Sequence, residues 1–175
     1  MNLLPADLIF TRSASLLGSA IRWFERSSGE EQSWTNHTAG IGTSDNVVEA
    51  QTSVISTPFN TWKEGEQFQV WRTSDLDDAG RIEIAQYAES HLGHEYGYAK
   101  LIPHALDGLI AKVTGGNVYL FRRMLFLKNY DICSWLWAFG YHVRGLDFGA
   151  SPRFVTPDDQ HDYVVSHPEK WERIC

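Results

Sequence analysis

The run Tyr130-Asp131-Ile132-Cys133-Ser134-Trp135-Leu136-Trp137-Ala138-Phe139 reads as a short approach followed by an apolar helix, with a cysteine at the helix start. A helix begins with unpaired backbone N–H groups and the positive end of its dipole. Both favour thiolate over thiol, and the thiolate is the nucleophilic form. A packing role competes with this reading, because free cysteine is among the most buried residue types. The natural base for such a thiol is a histidine, and one lies upstream in Trp34-Thr35-Asn36-His37-Thr38-Ala39-Gly40-Ile41-Gly42.

The chain has 175 residues, a length that suits a single domain spanning 1–175 and able to bury its own core. Hydrophobic residues make up 43% and charged residues 21%, as in ordinary globular proteins, so disorder is not indicated. Aromatic residues reach 13%, which implies a thick core or an aromatic-lined cleft. A net charge of −7 argues against nucleic acid as a partner, because phosphate binding needs a basic surface. Arg122-Arg123 with Lys128 is too small a basic cluster to change that.

The two cysteines, Cys133 and Cys175, make no disulfide framework, and neither a CxxC nor an HExxH pattern suggests zinc. His91 and His94 lack a third ligand, so neither a metal nor a cofactor is expected. No apolar run approaches the roughly 20 residues that span a bilayer, so no stable membrane insertion is expected. Met1-Asn2-Leu3-Leu4-Pro5 is not a charged leader, and a cytoplasmic location follows as the expectation.

Ala6 to Phe10 has the pattern of a short strand. Ser13 or Ser15 caps a predicted helix through about Ser27, with an apolar face that suits core packing. A strand spans about Thr35 to Thr43. A Ser44-Asp45-Asn46 turn leads into a second strand, Val47 to Gln51. Phe68 to Arg72 alternates as a third. Asp75 to Leu92 reads as a helix capped by Ser74 or Asp75 and stopped by Gly93. Leu101 to Val113 reads as helical, and Val118 to Leu127 fits either strand or helix. The Cys133 helix ends between Gly140 and Gly145. Val155 to Asp158 is a turn, and Tyr163-Val164-Val165 fits a closing strand. This order favours an α+β fold over a parallel α/β sheet.

A cysteine nucleophile needs a base in hydrogen-bond reach, and the base needs an orienting group. Cys133 and His37 supply the first two. Glu49 is the best third candidate, as the acidic residue inside the second strand. Gln51 shares its face by alternation, and Asp45 is also near. A tight turn at Ser44 to Asn46 would pair Glu49 with Gly40 or Ile41 rather than with His37.

With these pieces in order, the chain resembles the circularly permuted NlpC-type peptidases and amidases of the papain-like superfamily, in the YiiX/YaeF-like branch. Pro5-Ala6-Asp7-Leu8-Ile9-Phe10 resembles that branch's Gly-Asp-Leu opening strand, with Ala6 in place of Gly. Asn36-His37-Thr38-Ala39-Gly40-Ile41 resembles its histidine strand. Val47-Val48-Glu49-Ala50 resembles the strand bearing the third polar residue. Gly93-His94-Glu95-Tyr96-Gly97-Tyr98 resembles its Gly-x-x-Tyr segment, Ile132-Cys133-Ser134 its nucleophile start, and Val155-Thr156-Pro157-Asp158-Asp159 its Thr-Pro-x-Asp turn. Ile132 replaces an acidic residue common before the cysteine, and Trp135 follows Ser134 where Gly or Glu is common.

The resemblance implies a small antiparallel sheet packed against helices, with the nucleophile at a helix N-terminus. It implies a thiol peptidase or amidase in which Cys133 attacks a carbonyl, His37 moves the proton and Glu49 holds the imidazole. Backbone N–H groups at the helix start, with Ser134 and Tyr96, would serve the oxyanion or line the substrate site. The implied substrate is a peptide or peptidoglycan fragment, which a leaderless enzyme would meet from inside, after lysis or in a phage context. Two other readings stand beside it: a lipid or acyl-chain amidase or acyltransferase on the same fold, and a non-catalytic binding module. The retained Cys133, His37 and Glu49 argue against the module.

Overall fold

The computed structural model describes residues 1–12, 33–62, 67–95 and 133–175. The strands are β1 (Leu8–Thr11), β2 (His37–Ile41), β3 (Asn46–Ala50), β4 (Val54–Pro58), β5 (Phe68–Thr73) and β6 (Trp171–Arg173). The helices are α1 (Phe59–Trp62), α2 (Asp78–Glu89), α3 (Cys133–Val143) and α4 (Pro157–Ser166). All the strands join one antiparallel sheet in the order β4-β3-β2-β1-β5-β6. The architecture is α+β. The segments read as helices from Ser13 or Ser15 and from Leu101, the ambiguous 118–127 run and Tyr96 lie outside the described residues.

β1 sits at the centre of the sheet and is buried along its whole length. That explains its continuous apolar sequence, since a strand covered on both faces has no polar side to show. Alternation sends Leu8 and Phe10 to the helical side, with Val48, Ala50, Leu136, Trp137, Tyr141 and Ile84. Ile9, Ala39, Ile41, Val47 and Val70 form the opposite face, where Phe59, Trp62 and Phe68 pack on them. Helix α3 is apolar around much of its surface because it is enclosed by the sheet, α2 and α4.

Asp7 ties the entry of β1 to its neighbours. Fully buried, it accepts from Arg72 Nε at 2.8 Å and Nη2 at 2.6 Å, and from the Leu4 amide at 2.9 Å. Arg81 of α2 stands 3.6 Å away and also donates to the Thr73 carbonyl. A buried carboxylate needs such partners, because its desolvation is otherwise uncompensated. Ala6 adopts a left-handed φ of 61°. Its carbonyl accepts from the Tyr141 hydroxyl, which pins α3 to the start of the sheet.

Three expectations are corrected. The hairpin turn occupies residues 42–45, with Asp45 at φ 56°, and Gly42 N–H donates to the Asn46 carbonyl. Asn46 therefore joins β3, and the register places Glu49 opposite Ala39, not Gly40 or Ile41. Helix α2 starts later than expected because Asp77 is its N-cap, accepting from the Gly80 amide. Tyr163 to Val165 are helical. Thr156-Pro157-Asp158-Asp159 is a capping box with proline in the first turn, a helix start and not merely a turn. The closing strand is β6.

Helices α2 and α4 end alike, in Tyr87-Ala88-Glu89-Ser90-His91 and Tyr163-Val164-Val165-Ser166-His167. In each, the histidine Nδ1–H donates to the tyrosine carbonyl, at 2.9 and 2.8 Å, and the serine hydroxyl donates to that carbonyl at 2.7 and 3.0 Å. The imidazole then packs on the tyrosine ring. Both ends thus satisfy a carbonyl that the helix leaves open.

The crossing of α3 over the sheet depends on Gly40. A Cβ there would lie 2.6 Å from Trp137 Cζ2 and 2.7 Å from Cε2. Gly40→Ala is expected to cost about 1–3 kcal/mol, as overpacking does, measured as a lower urea midpoint with an unchanged slope.

Candidate active site

His37 is the first residue of β2, at the end of the sheet. The preceding segment is fixed by side chains: Ser33 Oγ donates to the Thr35 carbonyl at 2.7 Å, and Thr35 Oγ1 donates to the Thr11 carbonyl at 2.9 Å. The half-buried His37 ring places Nε2 2.8 Å from Glu49 Oε2. Glu49 is opposite Ala39 in the ladder, and Ala39 lies two residues along the same strand face as His37. The pair is therefore a diagonal one, within reach of a glutamate side chain. A one-residue register slip would send Glu49 to the other face.

Glu49 is 2% exposed. The mixed face read from its neighbours is closed over by α1. Trp62 Nε1–H donates to Glu49 Oε1 at 2.9 Å, and Gln51 Nε2–H donates to the same oxygen at 2.8 Å. Gln51, a rival for the orienting role, therefore braces Glu49, and Asp45 is an exposed turn residue. Burial works against the carboxylate, but the bonds from His37, Trp62 and Gln51 outweigh it and hold Glu49 below its usual pKa.

Cys133 opens α3 and is 4% exposed. It is a free cysteine, as is the exposed Cys175. Its side chain hydrogen-bonds the His37 ring. With Nε2 engaged by Glu49, Nδ1 is the nitrogen left for the sulfur. Burial disfavours the imidazolium, but the charge and hydrogen bond of Cys133, then those of Glu49, overcome it and push the His37 pKa up to about 10. This is the electrostatic pattern of a thiolate–imidazolium pair with a carboxylate behind it. The imidazole thus bonds both the sulfur and the carboxylate.

Ser134 is placed differently from a substrate-facing residue. It is fully buried, and its hydroxyl donates to the Val155 carbonyl at 2.8 Å. Its own carbonyl accepts from Gln160 Nε2 at 3.1 Å. Ser134 anchors the start of α3 to the entry of α4, which leaves its hydroxyl committed inside the core. Tyr96 lies outside the described residues. Trp62 carried no signal in the sequence that linked it to Glu49.

No family model matches the chain, and no curated protein matches it. Among solved structures, the crystal structure of the metalloprotein yiiX from Escherichia coli O157:H7, DUF1105, matches with a TM-score of 0.57. The match covers 86% of this chain and 71% of that chain at 20% sequence identity. The fold resembles that of YiiX. YiiX is described as a metalloprotein. Among the described residues, no group of three or more His, Cys, Asp or Glu side chains is placed to hold one. In the His37 site itself, Nε2 faces Glu49, and the ring also bonds Cys133. Among the described residues, no helix is long and apolar enough to cross a membrane.

Replacing Glu49 by Gln keeps the side chain's shape and removes its charge. The imidazolium loses one of its two counter-charges, so the His37 pKa is expected to fall from about 10 by roughly one to three units. A proton NMR titration of the ring would read this directly.

Proposed function

We propose that the protein is a cysteine-dependent hydrolase of amide or peptide bonds, built on a permuted NlpC-type papain-like fold. One observation carries the reading: a single imidazole, His37, is hydrogen-bonded to Cys133 at a helix start and, 2.8 Å away, to the buried carboxylate of Glu49. Those are the three roles covalent catalysis requires, namely nucleophile, base and orienting group.

In the proposed reaction the Cys133 thiolate attacks the substrate carbonyl carbon. A carbon–sulfur bond forms, and the carbonyl electron pair moves onto oxygen, which the backbone N–H groups at the start of α3 would stabilise. As the oxyanion collapses, the carbon–nitrogen bond breaks and the amine leaves with the proton from His37 Nδ1. The product is a thioester. Neutral His37 then takes a proton from water, whose oxygen attacks the thioester carbon and releases the acid. The thiolate returns beside the imidazolium. Glu49 keeps the ring oriented and favours its charged form.

The substrate class that fits best is a peptidoglycan stem peptide, on the strength of the ordered family resemblance. Incubation with purified muropeptides, read by mass spectrometry, is expected to give products heavier in sum by one water. Cleavage of phospholipids with muropeptides untouched would overturn the substrate. Cys133→Ala and Cys133→Ser are expected to abolish turnover with an unchanged circular dichroism spectrum. Deletion of the exposed Cys175 is expected to leave turnover intact.

The His37 pKa also sets a pH expectation. The imidazolium must be protonated to supply the leaving amine. kcat/KM is therefore expected to hold through neutral pH and fall as the pH rises through about 10. Glu49→Gln should bring that alkaline limb to lower pH, with a rate loss of about 10² to 10⁴.

A further inference from the structure

The hydrogen bonds behind Glu49 assign a role to Trp62 and Gln51. A glutamate carboxylate turns easily about its last torsion, so either oxygen can face a partner. Here Oε2 faces His37 and Oε1 takes both Trp62 Nε1–H and Gln51 Nε2–H. The two donors come from different places, Trp62 from α1 and Gln51 from just beyond β3. Trp62 is itself held against Phe68 of β5, with ring centroids 5.5 Å apart, and against Phe59 at 6.2 Å.

The chemistry of the indole is what gives this contact its consequence. An indole N–H donates and has no acceptor to offer. A protonated Glu49 would have no partner for a proton on Oε1 at Trp62. The contact therefore favours the carboxylate form specifically. Among the described residues, the groups that face Glu49 are His37 from β2, Trp62 from α1 and Gln51, and its cross-strand neighbour on β4, Ile55, is apolar.

We propose that Trp62, with Gln51 beside it, is a positioning residue that locks Glu49 as an oriented anion and so sets the lowest pH at which Cys133 is reactive. This rests on the Cys133–His37–Glu49 reading above. Below the Glu49 pKa the imidazolium loses the carboxylate's share of its support, and the thiolate it stabilises is weakened with it. Removing a donor from the carboxylate raises that pKa and moves the loss to higher pH.

The test uses the full chain carrying Cys175→Ser, so that iodoacetamide reports Cys133 alone. The alkylation rate is measured from pH 3 to pH 9 for this protein and for Trp62→Phe, Gln51→Leu and Glu49→Gln in the same background. Trp62→Phe keeps an aromatic ring against Phe59 and Phe68 and removes the N–H. Its acid limb is expected to move up by roughly one pH unit, and that of Gln51→Leu by less, since Gln51 is exposed and water can replace it. An acid limb unmoved in Trp62→Phe but moved in Glu49→Gln would overturn the positioning role and leave the triad standing. An acid limb unmoved in all three would overturn the triad as well. If Trp62→Phe fails to fold, the Gln51→Leu limb decides alone: a shift supports the lock, and no shift refutes it.

Discussion

The docking of Trp137 on the sheet holds the rest of the arrangement in place. Its indole lies on Gly40, where a side chain would not fit, and its Nε1–H donates to the Val48 carbonyl at 3.1 Å. Gly40 belongs to the histidine strand and Val48 to the glutamate strand, so one indole spans both. Trp137 is also one helical turn beyond Cys133, on the same side of α3. The contact that seats the helix therefore also fixes where the sulfur stands relative to His37. The site's geometry is a property of core packing, and no flexible loop among the described residues is asked to supply it.

Much of this was legible from residue order. The His37 strand, the Glu49 strand and the Cys133 helix each have a local pattern, and the spacing from His37 to Glu49 fits a hairpin. What local pattern leaves open is register. One residue more or less in the turn changes which side chain opposes which, and the sequence Thr43-Ser44-Asp45-Asn46 is compatible with more than one turn. The observed turn leaves Asn46 in the strand and makes His37 and Glu49 diagonal neighbours. The bracing of Glu49 was less accessible still, because Gln51 looked like a competitor and α1 is too short to show periodicity. Tyr163 to Val165 misled for a different reason: three residues rich in β-branched side chains resemble a strand, but the capping box at Thr156 commits the chain to a helix before they are reached.

Two buried carboxylates show different uses of charge in the same sheet. Asp7 meets two arginines and serves to join β1, β5 and α2. Glu49 meets one imidazole and two neutral donors, so its charge is partnered but not neutralised by a permanent cation. An arginine in place of Trp62 would hold the carboxylate equally well and would compete with the imidazolium for it. Neutral donors orient the anion and leave its field directed at His37.

The bonds from Ser134 to Val155 and from Gln160 to Ser134 have a consequence for the order in which the molecule is completed. They join the start of α3 to residues 21 and 26 positions further along, and β6 then seals against β5. During synthesis the histidine hairpin can form early, since its partners are near in sequence. The start of α3 is anchored only once Val155 and Gln160 have followed it. A chain ended before Val155 would thus hold a folded hairpin and an unanchored start of α3, so the candidate site is completed after the hairpin that carries His37 and Glu49.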